Sequence, residues 1–254
     1  MPTDPPFYIG WQDQAPAPLG AFARRVAMGL VALALAVGAA LTLTQGPFAA
    51  SSFAFGHPER WEGVVGTWPA PALWTTEGGA LHATLLVAPG KFGADDLLAG
   101  LDGHRVQVEG TRIARDGTVM VELAPETLQD QGLPAEPLQG ELSLGEVTLQ
   151  GEIVDSKCFL GVMNPGDGKV HRDCAVRCIS GGVPPALWVR ASDGTMRTVV
   201  LVGPEGEPIG QALLPLVAEP VTARGQLQRR GDLYVLRLAP SDVKRVDGRD
   251  AGGR

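Results

Sequence analysis

Cysteine, basic charge and long helix-forming runs are all scarce in this chain. Three cysteines and four histidines are present among 254 residues. Lys and Arg number 21 against 28 Asp and Glu, for a net charge of −7. That balance argues against nucleic acid as a partner, because a phosphate backbone is bound through excess positive charge. No pair of acidic residues has a spacing suited to acid–base catalysis. The glycines of NPGDG and SGGVPP are too irregular for a phosphate loop and read as turn residues. Helix-favouring stretches are few, whereas Gly and Pro number 34 and 21, so the composition predicts a mainly β, turn-rich fold.

Lys and Arg are missing altogether between Arg25 and Arg60. Within that gap, Val26 to Leu43 is an uncharged apolar run of 18 residues. At about 1.5 Å per residue such a run reaches roughly 27 Å, close to a hydrocarbon core. The expectation is a transmembrane helix over 26–44. Arg24 and Arg25 ahead of it place arm 1–25 in the cytoplasm and the rest outside. This describes a single-pass protein of a bacterial inner membrane whose bulk is periplasmic. The rival is a cleaved signal peptide, for which Ala50-Ser51-Ser52 is only a fair cleavage site. Phe7, Tyr8 and Trp11 in the arm suit interfacial anchoring or docking on a partner subunit.

The outer part carries an internal repeat. Pro71-Ala72-Leu73-Trp74 recurs as Pro185-Ala186-Leu187-Trp188, and further matches follow at an offset of 115, including Leu86-Val87-Ala88-Pro89 against Leu201-Val202-Gly203-Pro204. Each copy reads as three strands, a short helix and two strands. The strands are expected near 61–66, 72–76, 80–87, 104–111 and 118–123, then near 146–154, 186–191, 196–202, 221–227 and 233–238. The helices are expected near 94–101 and 208–217, the second made irregular by Pro215. Five strands with a helix after the third is the order of an OB barrel. The expected fold is an N-terminal transmembrane helix followed by two tandem OB-like barrels. The first domain spans 58–128, with a linker over 129–144. The second spans 145–245, and 246–254 reads as a disordered tail.

The copies differ in one loop. Between Gly63 and Pro71 lie seven residues; between Gly151 and Pro185 lie 33. The insertion, 155–183, holds Cys158, His171, Cys174 and Cys178, spaced C-x12-H-x2-C-x3-C. Three thiolates and an imidazole suit zinc in a closed tetrahedral site, or copper or iron in a more open one. His171, Cys174 and Cys178 would share one helical face, with Cys158 crossing from the end of a strand. The pattern is no zinc ribbon or plant ferredoxin, and it is not C-x-x-C-H, so covalent haem is not expected. An iron-containing cofactor held non-covalently stays open. Two other readings stand beside the metal. A disulfide with one spare thiol would pin the loop. A thiol with its pKa lowered by Lys157, Arg172 or Arg177 would react. Asp155 reads as a strand end that bonds loop amides, or as an orienting partner of His171, and with Lys157 as a cofactor contact.

The run Gly151 to Cys158, then GVMNPGDGK from Gly161 to Lys169, His171, Cys174, Cys178 and ISGGVPP from Ile179 to Pro185, resembles a signature of membrane-anchored bacterial periplasmic proteins that have no assigned activity. The resemblance implies a single-pass anchor, an outer β domain and a Cys/His loop, and it transfers no catalytic residue. The functional expectation is an accessory or electron-transfer subunit, its loop holding a metal or redox cofactor, beside a membrane oxidoreductase. The alternatives are a non-catalytic scaffold with a disulfide-stiffened docking loop, and a periplasmic thiol enzyme.

Overall fold

The computed structural model describes residues 16–44, 51–134 and 140–246. The aromatic arm, the tail from Asp247 and the middle of the expected linker lie outside the described residues. The chain divides into two units, Met1–Phe48 and Ala49–Arg254. In the first unit, helix α1 covers Ala17–Thr44, 28 residues, none of them buried. It is long and apolar enough to cross a membrane, with a mean hydropathy of 2.4 over 18 residues. Such length and composition fit an anchor.

The second unit is two closed five-stranded barrels in tandem. The first is built from β1 (Ser51–Gly66), β2 (Ala72–Glu77), β3 (Ala80–Ala88), β4 (Arg105–Arg115) and β5 (Thr118–Leu123). Its order is β1-β2-β3-β5-β4, closed by β4 pairing with β1, and only β3 and β5 run parallel. The second is built from β6 (Glu141–Asp155), β7 (Pro185–Arg190), β8 (Met196–Val202), β9 (Pro220–Arg230) and β10 (Leu233–Arg237). It repeats the order, with β8 parallel to β10 and β9 closing on β6. This is the strand order of an OB barrel.

The duplication extends to register. Leu86 faces Val121 across the parallel pair of the first barrel, and Leu201 faces Leu236 in the second, each shifted by 115. Val64 pairs with Trp74 as Glu152 pairs with Trp188. Both first strands start earlier than expected, and Glu141 to Leu144, read as linker, belong to β6. The expected helix near 94–101 is a series of turns: Leu98 N donates to Ala94 O, and Leu101 N to Leu98 O. So few bonds cannot offset the cost of nucleating a helix. The second copy does form a helix, α-helical over Gly210–Leu213 and 3₁₀ over Leu214–Leu216, irregular where Pro215 removes a donor.

Alternation along the strands sorts the core into three parts. Leu73, Leu86, Val106, Val108 and Val121 fill the first barrel. Ile153, Leu187, Leu201, Val221 and Leu236 fill the second. Their neighbours in sequence point outward and are still buried. Trp74, Leu85, Val87 and Met120 of one barrel meet Val154, Ala186, Val200 and Val235 of the other in a third cluster. The insertion supplies the middle of that cluster through Cys158, Phe159, Leu160 and Cys178. The inserted loop is therefore part of the packing between the barrels. Phe159 and Leu160 are fully buried there, each worth about 1.5–3 kcal/mol in apolar transfer.

Candidate metal centre

β6 ends at Asp155, whose side chain has no solvent exposure. Its Oδ1 accepts the Cys158 backbone N–H at 2.8 Å, and its Oδ2 lies 3.0 Å from His171 Nε2. Both roles expected of Asp155 thus occur together. The chain leaves the strand through Ser156, whose hydroxyl donates to Pro184 O across the mouth of the loop at 2.8 Å. A single wide turn over Cys158–Val162 then aims Cys158 inward. Helix α2 (Arg172–Ser180) follows His171, its N-cap residue. The i, i+4 spacing sets Cys174 and Cys178 on one face, with His171 one turn ahead. Asp173 in its first turn and Arg177 in its last suit the helix dipole.

The expected ligands fall into two groups that share Cys158. Cys158, His171 and Cys174 offer donor atoms that all lie within 4.8 Å of one another, and Asp155, Cys158 and Cys178 form a second such group. Cys158 Sγ stands 3.8 Å from both Cys174 Sγ and Cys178 Sγ. All three cysteines are free thiols, and none is joined in a disulfide. Cys158, Cys178 and His171 are buried, and Cys174 is half-buried at the edge. With a zinc–sulfur bond of about 2.3 Å, two sulfurs of a tetrahedral site stand about 3.8 Å apart, so the present spacing already suits a shared ion. The cluster can hold a metal ion. Both Asp155 oxygens are engaged, one by Cys158 N and one by His171, which suits an orienting role toward the imidazole. With Nε2 turned to that carboxylate, Nδ1 is the nitrogen left for a metal, the familiar carboxylate–histidine arrangement of metal sites.

The electrostatics follow from crowding. The Cys158 thiol is pushed far up, first by the hydrogen bond it gives Cys178, then by burial and by the Asp155 carboxylate. The same bond lowers Cys178, helped by the charge on Lys91. Cys178 is thereby the easier of the two to ionise and Cys158 the harder.

Lys157 goes elsewhere. It is 2% exposed, and its ammonium donates to Ala88 O at 2.8 Å and Gly90 O at 2.6 Å and pairs with Glu122, all in the first barrel. It ties the barrels together and leaves the sulfurs alone. Arg115 does similar work: its guanidinium donates to Phe159 O at 3.1 Å and lies 3.9 Å from the centre of the Phe159 ring. Arg172 pairs with Glu219 at 2.8 Å, and Lys169 approaches the same carboxylate at 3.5 Å. The cation beside the sulfurs is Lys91, which sequence reasoning missed. Its Nζ is 2.7 Å from Cys174 Sγ and 3.8 Å from Cys178 Sγ. It lies in the first barrel, 67 residues before Cys158, and no local pattern marks it. His82 and His104 sit in exposed pairs with Asp232 and Asp130, far in role from the centre.

No family model, curated protein or solved structure matches the chain. The class it belongs to is defined by its own parts. An apolar helix fit for a membrane precedes two OB barrels, and a Cys/His centre able to take a metal lies where the barrels meet.

Proposed function

We propose that the protein is a membrane-anchored accessory subunit that carries one metal ion on Cys158, His171, Cys174 and Cys178. The observation that carries this reading is the sulfur spacing of 3.8 Å around Cys158, with His171 braced by Asp155. Three sulfurs gathered around Cys158, with His171 grouped beside Cys158 and Cys174, favour a closed tetrahedral site, for which zinc is the best match. Asp155 and the surrounding shell hold the ligands in place. Arg24 and Arg25 ahead of the apolar run of α1, and no further Lys or Arg until Arg60, support an inner-membrane protein whose barrels face the bacterial periplasm. The signature around Cys158 supports grouping it with other anchored periplasmic proteins of that kind, and its place is beside a membrane oxidoreductase.

Cys174 favours a second reading. It is the ligand that is not fully buried, so its sulfur offers a short path to a partner at the surface. With iron or copper in the same donors, the subunit would pass electrons.

The test uses the full chain in detergent, purified without reductant. Metal content, free thiols and the visible spectrum are measured on one sample. One colourless divalent ion per chain, with thiols that react only after chelation, supports the closed site. A thiolate charge-transfer spectrum with iron or copper moves the reading to electron transfer. A disulfide, one free thiol and no metal would sink both and leave a scaffold with a pinned docking loop.

A further inference from the structure

We infer that Lys91 is a positioning residue of the metal centre, fixing the Cys174 thiolate and offsetting its charge, so that the centre is assembled across both barrels and metal loading tightens their junction. The inference rests on the metal reading above. It begins from formal charge. Three thiolates and one divalent ion leave one negative charge, and the buried Asp155 carboxylate beside His171 adds another. Uncompensated charge is costly away from water. Lys157 is occupied by Glu122, Arg172 by Glu219, and Arg115 by Phe159 O and Asp116, while exposed Arg177 makes no bond to a sulfur among the described residues. Lys91 makes no ion pair among the described residues, and its ammonium rests on Cys174 and Cys178.

The backbone that carries Lys91 is held from two sides. Lys157 grips the carbonyls of Ala88 and Gly90 just before it. Just after it, Gly93 N donates to Gly181 O at 2.9 Å. The Lys91 carbonyl lies directly over the Cα of Gly181, where a Cβ has no room. Gly181 is the C-cap of α2, the helix that bears Cys174 and Cys178. The insertion therefore grips the 88–93 segment at both ends and receives its ammonium in the middle. A hydrogen bond from an ammonium is stronger to a thiolate than to a thiol. Metal keeps the sulfurs as thiolates, so loading strengthens the contact that Lys91 makes between the barrels.

The experiment compares the full chain in detergent with its Lys91→Met and Lys91→Arg variants, each stripped and titrated with cobalt(II). Without the cation the sulfurs donate more freely. The thiolate-to-cobalt bands of Lys91→Met should therefore move to longer wavelength, and its affinity should fall about 10-fold or more, as for loss of an outer partner. Lys91→Arg should restore most of the band position. In the wild type, cobalt should slow amide exchange over 88–93 as well as over 171–181; in Lys91→Met only the second effect should remain. A Lys91→Met protein with wild-type bands and affinity overturns the inference and leaves the metal reading intact. A wild type that takes up no cobalt overturns both. Should Lys91→Met fail to fold, exchange in the wild type decides, and unchanged rates over 88–93 on loading overturn the inference.

Discussion

The two barrels share strand order and register, yet the first crosses from β1 to β2 through residues 67–71 alone, while the second spends residues 156–184 between β6 and β7. In the first, the short loop is held locally: Thr67 gives both its N–H and its hydroxyl to Asp102, at 2.8 and 2.9 Å. In the second, the loop leaves its own barrel, packs Phe159 and Leu160 against the other one and gathers two groups of possible metal donors around Cys158. A barrel core needs only the short version. The long version adds a joint and a site in one segment, so each is expected to respond when the other is damaged.

The largest break in the comparison should come from Lys157, which has no counterpart in the short loop. Replacing it by Met leaves Glu122 and two carbonyls without their buried partner. Removing one member of such a pair costs about 3–5 kcal/mol. Urea unfolding of the full chain, followed by tryptophan fluorescence, should show that loss. Adding Glu122→Leu should recover most of it, since an apolar pair can replace a buried ionic one. A single variant as stable as the wild type would mean that the insertion does not hold the barrels together.

Next is Asp155, at the point where the long loop departs. Asp155→Asn keeps the shape and weakens the brace on His171. Metal affinity is expected to fall about 10- to 100-fold, as for other orienting partners of ligating histidines. Competition with a chromophoric chelator reads this directly. Unchanged affinity would show that His171 is held without it or does not ligate. The matched control in the short loop is Thr67→Ala. It removes one exposed hydrogen bond while Asp102 keeps the Thr67 N–H, so the expected cost is about 1 kcal/mol or less, with metal content unaltered.

Much of this contrast was legible in the residues. The repeat at an offset of 115 is visible because both barrels need the same inward positions, and Leu86 and Leu201 do face Val121 and Leu236. H-x2-C-x3-C announces a helical face, and α2 supplies it. The joint between barrels was harder to see, because docking depends on residues far apart in the chain. One signal was present: Leu85 to Ala88 and Val199 to Val202 are unbroken apolar runs, buried on both faces of their strands. A strand at the surface of a lone barrel would alternate. Lys91 lay beyond reach, since its role depends on that docking. Lys157 was misleading for the opposite reason: it adjoins Cys158 in sequence, yet its side chain reaches Ala88, Gly90 and Glu122 of the other barrel.

The smallest effect comes from Glu152, which pairs with Trp188 where the first barrel has Val64 opposite Trp74. It accepts the Gly168 N–H of the long loop, and burial raises its pKa above the usual carboxylate value. A raised carboxyl binds its proton more tightly in the folded state than in the unfolded one. Its contribution is therefore fully present below the unfolded pKa and is lost as pH rises through the folded value. Glu152→Gln keeps an acceptor for Gly168 and removes the buried charge. It should stabilise the chain at neutral pH by a few tenths of a kcal/mol, the group being only partly desolvated, and that gain should vanish in acid. Thermal unfolding of both proteins across pH 4 to 8 would show curves that converge at the acid end. A Glu152→Gln protein less stable than the wild type at neutral pH would mean that the Gly168 bond outweighs desolvation, and that the long loop depends on an ionised Glu152 where the short loop manages with valine.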